Sequence, residues 1–568
     1  MADANELKIL CCTCNMGNAK PAPRDIAAWI PEQGLLEYVL PSSSSSEDEQ
    51  GSFDIIVIGM QEATWKIKKK GEKTTPEEHV DSEDEDDEEE GAKQLESQIS
   101  DISVGKGSPR SNGNNNESDT LFLREQLQIH LGDKFQLLKE FQRGQMRLYV
   151  FVLQKWTLEI KDLDVKAENT GIAGVYHNKG GILVQFSLRQ TRISFLTAHL
   201  AAHEGPDKYK ARNDHVREIL RGARPNPKHL AGLDSAMVSH HMFVMGDLNY
   251  RVRITDTAND THESKVQKAL ELVQAGKFDS LYALDELSAG LDKKEVLCQF
   301  QTPPCHFSPT FKMLREQGFQ YKTQRVPSYT DRILFTSAEG LSDKLKNLAY
   351  EPCPGFASSD HKPIRAAFSI QLNGTSPTSD ELPMTEPVSL TFRDMKCSNL
   401  PSMDVDGLSD PYIMFVSDPL DLVKDDRNPK EQKKRSDKFK WPRTKHISKN
   451  LNPSWDEQVK LAIPPETSSQ MNGAMLWLQV MDYDATSADD TMCSLALNLQ
   501  DLVSMKDEES SKTIHINRTL MKYGQELGAI ECSIDIQRGG IVHATRDEVK
   551  KRGLFSGLSK RLQTKESK

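Results

Sequence analysis

No apolar run in the sequence approaches the roughly 20 residues that a membrane-spanning helix needs, which argues against an integral membrane protein. The opening residues MADANELKIL contain no basic stretch followed by an apolar one, and KESK at the other end offers no cysteine for prenylation. Both observations predict a soluble, unsecreted chain. Cysteine is sparse, nine in 568 residues, and the number is odd. Only Cys11, Cys12 and Cys14 lie close together, in a strand-like apolar run where buried reduced thiols are expected in place of metal ligands. That pattern points to the cytosol. A formal charge of -12 argues against a general nucleic-acid binder, but it hides an asymmetry, because DSEDEDDEEE (81 to 90) is nine-tenths acidic while two other stretches are basic.

With 568 residues the chain is too long for one hydrophobic core, so at least two domains are expected. Strand-like runs recur through the first two thirds: LKILCCT, FDIIVIGM, RLYVFVL, GILVQFSL, RISFLTAHL, HMFVMGD, DRILFT and PIRAAFSI. Near-continuous apolar strands of this kind suit sheets covered on both faces, hence an α/β layered domain over 1 to 372. Residues 66 to 119 interrupt it with lysines, the acidic run and GSPRSNGNNNES, a composition that predicts a disordered insertion on a surface loop. NGTSPTSDELPMTEP (373 to 387) reads as a linker. Shorter runs with turn signals between them (VSLTFRD, DPYIMFV, VKLAI, AMLWLQVMD, SLALNL and ECSIDIQ) predict an all-β sandwich over 388 to 538. The basic segment 539 to 568 has a capping-box pair in Thr545 and Glu548 and an interrupted apolar stripe through Val549, Leu554, Phe555, Leu558 and Leu562.

The chemistry lies where the apolar runs of the first domain stop. KILCCTCN ends at Asn15, FDIIVIGMQE at Glu62, RISFLTAH at His199 and MFVMGDLN at Asp247 and Asn249, while Asp360 and His361 stand just before PI-containing PIRAAFSI. One carboxylate at a strand end is ordinary, but five strand ends that each deliver Asn, Asp, Glu or His read as one constructed site. Such a set suits phosphoester hydrolysis with a divalent ion, because magnesium prefers oxygen ligands and is usually held by one or two carboxylates. Glu62 and Asn15 are candidate oxygen donors. Either His361 or Asp247 could take a proton from water, with Asp331 of PSYTDRIL as an orienter for His361.

The runs HNKGG, TAHLAAHEG, GDLNYR, SPTFK, RVPSYTDRIL and SSDHKPI, in this order between residues 5 and 370, resemble the signatures of the magnesium-dependent inositol polyphosphate 5-phosphatases. The resemblance implies an α/β fold, a two-sheet layered sandwich of the endonuclease/exonuclease/phosphatase type flanked by helices, with the site at one edge. It implies Mg2+ on Glu62 with Asn15 nearby and Asp360 supporting it from outside. It also implies that Asp247 and Asn249 hold the attacking water and the scissile phosphate, that His199 donates to that phosphate, and that His361 pairs with Asp331. Lys179, Lys312 and Arg325 match cations that hold the other ring phosphates, a role that fixed positive charge suits. Three departures from the usual pattern stand out: Cys14 in place of tryptophan, Tyr329 and Thr330 in place of tryptophan and cysteine, and Thr323 in place of a lysine, with Lys322 one position away.

In the second domain MDVDGLSDPY supplies Asp404 and Asp410, and VMDYDATSADD supplies Asp482, Asp484 and Asp490. Calcium takes six to eight oxygen ligands, and two Asp-rich loops beside strands can provide them, although Asp is also a common turn residue. With NLNPSWDE between them, these loops resemble a C2 domain, which implies a C2 sandwich that binds Ca2+ and docks on anionic lipid. The stretch from 424 to 445 carries ten Lys and Arg against four acids, and the tail from Arg546 eight against three, as expected beside an anionic membrane. Trp441 fits either an interfacial or a core position. The expected whole is a cytoplasmic, peripherally membrane-associated enzyme that removes the 5-phosphate of phosphatidylinositol 4,5-bisphosphate or the 3,4,5-trisphosphate, with phosphoinositides and not nucleic acid as partners. Two alternatives stay open: a same-fold phosphodiesterase acting on another substrate, and a calcium-regulated membrane adaptor with an inactive phosphatase domain.

Overall fold

A computed structural model describes residues 5–40, 51–65, 113–171, 179–254, 261–374, 386–403, 407–419, 423–425, 441–464, 471–484, 488–505 and 509–539. The acidic run, most of the linker, most of the basic stretch, Asp404 and the basic tail therefore lie outside the described residues. The chain divides near residue 376 into two compact units. Among the described residues no helix is long and apolar enough to cross a membrane.

The first unit is built on two sheets. β1 (Glu6–Asn15), β2 (Ile55–Gln61), β3 (Phe135–Arg143), β4 (Met146–Leu153), β10 (Leu345–Pro352) and β11 (Ile364–Gln371) form a mixed six-stranded sheet in the order β10-β11-β1-β2-β4-β3. β5 (Ile160–Asn169), β6 (Gly180–Leu188), β7 (Thr191–His199), β8 (His241–Asp247) and β9 (Asp331–Ser337) form a five-stranded sheet in sequence order. Within each sheet one central pair is parallel, β1 with β2 and β7 with β8.

Because side chains alternate along a strand, each central strand feeds two cores. Leu7, Ile9 and Cys11 of β1, Ile55 and Val57 of β2, Phe195 of β7, Phe243 and Met245 of β8 and Phe368 of β11 fill the space between the sheets. The rings of Phe243 and Phe368 meet across it at 4.8 Å. The alternate residues face outward. Leu10, Cys12 and Cys14 pack with α1 (Pro23–Trp29) and with Leu123, Leu127 and Leu131 of α2 (Gly113–Leu131), whose spacing of four makes one helical stripe. Leu196, Met242 and Val244 pack with Val216, Ile219 and Leu220 of α3 (Pro206–Gly222). Burial on both faces is why these strands read as unbroken apolar runs. It also pushes the Cys11, Cys12 and Cys14 thiols up from their ordinary pKa, so they stay protonated.

Two differences from the sequence reading have a physical cause. Apart from Phe135 and Leu345 at their first positions, the edge strands β3, β5 and β10 have half-buried or exposed side chains and carry no apolar run to announce them. α2 begins at Gly113, inside the span assigned to the insertion, because Leu123, Leu127 and Leu131 anchor a helix that continues upstream through polar residues; the carboxylate of the buried Asp119 accepts the Trp65 amide at 3.1 Å.

The second unit is all β. Its strands are β12 (Val388–Ser398), β13 (Pro411–Asp418), β14 (Lys424–Asp425), β15 (Ser454–Trp455), β16 (Val459–Ile463), β17 (Met475–Asp482), β18 (Asp490–Asn498), β19 (Ser511–Lys522) and β20 (Gln525–Arg538). They form one curled antiparallel sheet, a sandwich whose two halves bury Leu390, Phe392, Ile413, Phe415, Leu476, Leu478, Ile534 and Ile536 between them. Trp441 is half-buried.

Gly246, the residue before Asp247, adopts φ +142, and a Cβ there would lie 1.9 Å from the Ala198 carbonyl oxygen on β7. Gly246→Ala is therefore expected to push β7 and β8 apart and to destabilise the protein by about 2 kcal/mol or more. An unchanged first midpoint in urea unfolding would show that the strands tolerate the methyl group.

Candidate active site

The same alternation that fills the space between the sheets decides what stands at its mouth. Following Phe195 on β7, the residues on that face are Thr197 and His199. Following Met245 on β8 comes Asp247, and on β1 and β2 the corresponding positions are Thr13 with Asn15, and Gln61. The apolar core thus passes into a polar layer, in which the Gln61 amide donates to the hydroxyls of Thr197 at 2.9 Å and Thr13 at 3.3 Å. Beyond it lies a charged layer. Register places His199 beside Asp247 and Asp247 beside Asp331 on adjacent strands. Glu62 and Asn249 break the alternation with left-handed backbones, φ +48 and +58, which turn their side chains into the same space.

Asn15 joins the two sheets. Its Nδ2 donates to Asp247 Oδ2 at 2.9 Å and to Glu62 Oε1 at 3.1 Å, while its Oδ1 accepts from the Gly17 amide at 2.9 Å. As placed, it offers hydrogens and not an oxygen to the carboxylates. His199 Nε2 lies 3.3 Å from Asp247 Oδ2 and 3.7 Å from Glu62 Oε1, and the Lys179 ammonium sits 2.7 Å from the same nitrogen. Asn249 Nδ2 is 3.2 Å from both Asp247 Oδ2 and the Leu200 carbonyl, and its backbone amide donates to Asp247 Oδ1 at 3.1 Å.

Asp331 and His361 form a buried dyad, Oδ2 to Nδ1 at 2.9 Å. That oxygen also accepts the hydroxyls of Thr310 at 2.7 Å and Thr330 at 3.0 Å. Ligand atoms of Asp247, Asp331 and His361 lie within 4.8 Å of one another. Burial alone would lower the His361 pKa, but the charge and hydrogen bond of Asp331, with Asp247 and Asp360 behind, push it up to about 9. Burial would likewise raise Asp247, yet the hydrogen bond with His199 and the charges of His361, His199 and Lys179 hold it well below the usual carboxylate range. The trio thus sets two carboxylates around one imidazole, whose Nδ1 is already engaged by Asp331.

A hard cation fits elsewhere in the cluster. The Glu62 side chain keeps 24% exposure against 2% for Asp247, and among the described residues its carboxylate meets amide groups, Asn15 at 3.1 Å and Asn18 at 3.5 Å, and the edge of His199. An oxygen donor with an open side suits magnesium. Asp360 stands between cations, 4.0 Å from Lys312 Nζ and 3.6 Å from Arg315 Nη2. Arg315 also donates to the carbonyls of Gly17 and Ser358, tying three loops together. The loop carrying Asp360 and His361 is held further by Asp25 of α1, which accepts from the Ala357 amide at 2.9 Å and from the Ser358 hydroxyl. Of the three expected ring-phosphate cations, Lys179 touches His199 and Lys312 lies near Asp360, while the half-buried Arg325 donates to the adjacent Gln324 carbonyl at 3.1 Å.

Thr310, Arg315 and Arg251 were not singled out from the sequence, and Thr330 only as a departure from the usual pattern. Thr310, Thr330 and Arg251 do lie inside quoted motifs, SPTFK, PSYTDRIL and GDLNYR, which was the available signal.

In the second unit, register brings the aspartates of both loops to one end of the sandwich. Asp482 pairs with Pro411 on one side and Asp490 on the other, and the Asp410 amide donates to Asp482 Oδ1 at 2.6 Å. Asp410 Oδ1 accepts from the Lys449 amide at 2.7 Å. The neighbouring Asp489 belongs to the frame, since it accepts from the Tyr412 hydroxyl at 2.6 Å and from the Asp484 amide at 3.1 Å. Asp404 lies outside the described residues.

Comparison with known proteins agrees with both units. The chain is 28% identical over 244 residues to a polyphosphatidylinositol phosphatase of Saccharomyces cerevisiae, covering 42% of this chain and 20% of that protein. It is 27% identical over 281 residues to the type II inositol 1,4,5-trisphosphate 5-phosphatase of Mus musculus, covering 48% and 26%. This chain thus spans about a fifth to a quarter of the length of these relatives. Among solved structures, the inositol polyphosphate 5-phosphatase domain of a synaptojanin, in complex with inositol (1,4)-bisphosphate and calcium ion, is similar with a TM-score of 0.45 and 21% identity, covering 64% of this chain and 84% of that one. Residues 388–514 match the C2 domain profile. Residues 12–367 match the profile of Endonuclease/Exonuclease/phosphatase family 2, and the chain belongs to that family.

Proposed function

We propose that this protein hydrolyses the 5-phosphate of phosphoinositides, phosphatidylinositol 4,5-bisphosphate or the 3,4,5-trisphosphate, with magnesium, at membranes to which calcium recruits it through the C2 domain. One observation carries this: Asn15, Glu62, His199, Asp247 and Asn249 form a single contact network at the mouth between the sheets, with the Asp331–His361 dyad against Asp247. The substrate class rests on the relatives, whose names are those of inositol trisphosphate and polyphosphatidylinositol phosphatases.

In this scheme Asp247, ionised and buried, accepts the proton of the attacking water. His361, protonated, faces the phosphoryl group and stabilises its charge, and Asp331 holds the imidazolium in one orientation. Asn249 and His199 present hydrogen-bond donors to the phosphoryl oxygens. Glu62 would hold the magnesium ion, with Asn15 fixing the carboxylate and Asp360 supporting it; the bound ion neutralises charge on the phosphoryl group and the leaving oxygen. Lys179, Lys312 and Arg325 take the remaining ring phosphates. Asp404, Asp410, Asp482, Asp484 and Asp490 hold calcium, which reverses the sign of an acidic loop tip and attracts anionic lipid. The protein then works in the cytoplasm as a peripheral membrane enzyme.

Phosphate release from a panel of inositides on vesicles, with and without calcium, tests the whole. Release from none of them in magnesium would leave a calcium-regulated adaptor, and faster turnover of nucleic acid or sphingomyelin would leave a same-fold phosphodiesterase. Asp247→Ala should abolish turnover while vesicle docking persists; loss of both together would contradict separate roles for the two units. Asp331→Asn keeps the shape of the dyad but removes its charge, so kcat should fall on the order of 10²- to 10⁴-fold. In chelator, the His361 titration of the parent protein followed by NMR should lie near 9 and should move down in Asp331→Asn. A raised imidazole contributes stability that is complete below its unfolded value near 6.5 and lost as pH rises through about 9, and this component should vanish in Asp331→Asn. Asp482→Ala combined with Asp484→Ala should end calcium-dependent sedimentation with anionic vesicles; equal sedimentation in calcium and chelator by the parent protein would remove the calcium site.

A further inference from the structure

We propose that Arg251 is a positioning residue for the reaction: it fixes the polarity of the Asn249 side chain, so that the amide hydrogens and not the amide oxygen face Asp247. The inference rests on the phosphatase reading above and assigns a function to a residue of that site which has no place in the scheme so far.

Arg251 is buried, 3% exposed, and grips its neighbour twice: Nη2 donates to Asn249 Oδ1 at 2.7 Å and Nε to the Asn249 carbonyl at 3.0 Å. A guanidinium has donors only, so the atom of the amide that meets it must be oxygen. The amide nitrogen is then directed at Asp247 Oδ2 and the Leu200 carbonyl, both acceptors, at 3.2 Å. Every contact is consistent with one orientation and none with its reverse. The opposite rotamer would set the amide oxygen against a buried carboxylate and its NH2 against a guanidinium.

The arginine is itself held from two sides. Its guanidinium lies over the Phe311 ring at 4.9 Å, and that ring packs on His361 at 4.5 Å. Its backbone amide donates to Glu286 Oε2 at 3.0 Å, a buried carboxylate that also accepts from Arg212 at 2.5 Å and Arg253 at 2.8 Å. Its Nη1 is buried without a hydrogen-bond partner among the described residues. Asn249 needs such a hold because its backbone is left-handed, φ +58, and a two-point clamp on both of its oxygens keeps backbone and side chain in register.

The test measures phosphate release by the full chain from phosphatidylcholine vesicles containing phosphatidylinositol 4,5-bisphosphate. Arg251→Lys keeps the charge but loses the two-point grip, and Arg251→Gln can present either polarity. Both should lower kcat about 10- to 100-fold while KM stays within about threefold, as expected when a reacting group is misplaced and substrate binding is not. In an Asn249→Ala background, assayed at high enzyme concentration, adding Arg251→Gln should cost less than about twofold more, because the arginine acts through the residue already removed. A rise in KM with kcat held would make Arg251 a substrate-binding cation. Multiplicative losses, or variants that lose the parent's cooperative thermal transition by circular dichroism, would make it an independent or structural group; each of these results overturns the proposal. No release by the parent chain itself would overturn the phosphatase reading and the inference with it, whereas parent activity with any of the former results overturns the inference alone.

Discussion

The close approach of the two sheets at one end is the constraint on which the catalytic edge depends. Gly59 stands opposite Thr197, where a Cβ would come within 2.5 Å of the threonine hydroxyl, so the sheets meet there with no side chain on one side. Gln61 then reaches Thr197 at 2.9 Å, and one residue layer further out Asn15 reaches Asp247 at the same distance. A short amide such as Asn15 can connect a carboxylate on one sheet with one on the other only if the backbones are held this near. Apolar packing along Phe195, Phe243 and Phe368 supplies the clamp, with each large side chain contributing on the order of 2 kcal/mol. The polar groups are thus positioned by a core that contains none of them.

Burial then sets the charge states. Asp247 and Asp331 are nearly inaccessible, and two such carboxylates side by side are tolerable only with cations and donors supplied to them. Asp331 receives three hydrogen bonds on one oxygen, two of them from threonines, and Asp247 draws on histidines, an asparagine and the Lys179 charge. The exposed flank is left to Glu62. The site therefore has a rigid, charged floor and one open carboxylate.

Much of this was legible in the sequence because a period of two is easy to follow. Eight runs of the first unit announced themselves as strands since both faces are buried, and polar residues at five of the strand ends named the site. The edge strands β3, β5 and β10 gave no such signal, being half-wet on at least one face. β19 is exposed or half-buried at all but two of its positions and was silent for the same reason. Within the site, residue types could be read but not the direction of their dipoles: Asn15 was expected to offer an oxygen and instead presents its NH2 to two carboxylates. Thr310 and Arg315 act on groups 21 and more residues away in sequence, so only the folded chain reveals what they hold.

The sheet order β10-β11-β1-β2-β4-β3 puts the first strand of the chain between the second strand and the last strand of its unit. β1 pairs in parallel with β2 but antiparallel with β11, whose residues begin some 350 positions downstream, at Ile364. During synthesis, the segment ending in Asn15 has one edge unsatisfied until Ile364–Gln371 has emerged, and the loop bearing Asp360 and His361 arrives at the same moment. Assembly of the Asn15-bearing and imidazole-bearing halves is therefore a single late event in the life of the nascent chain, and a polypeptide truncated before β11 would expose the central strand of its sheet along one whole side.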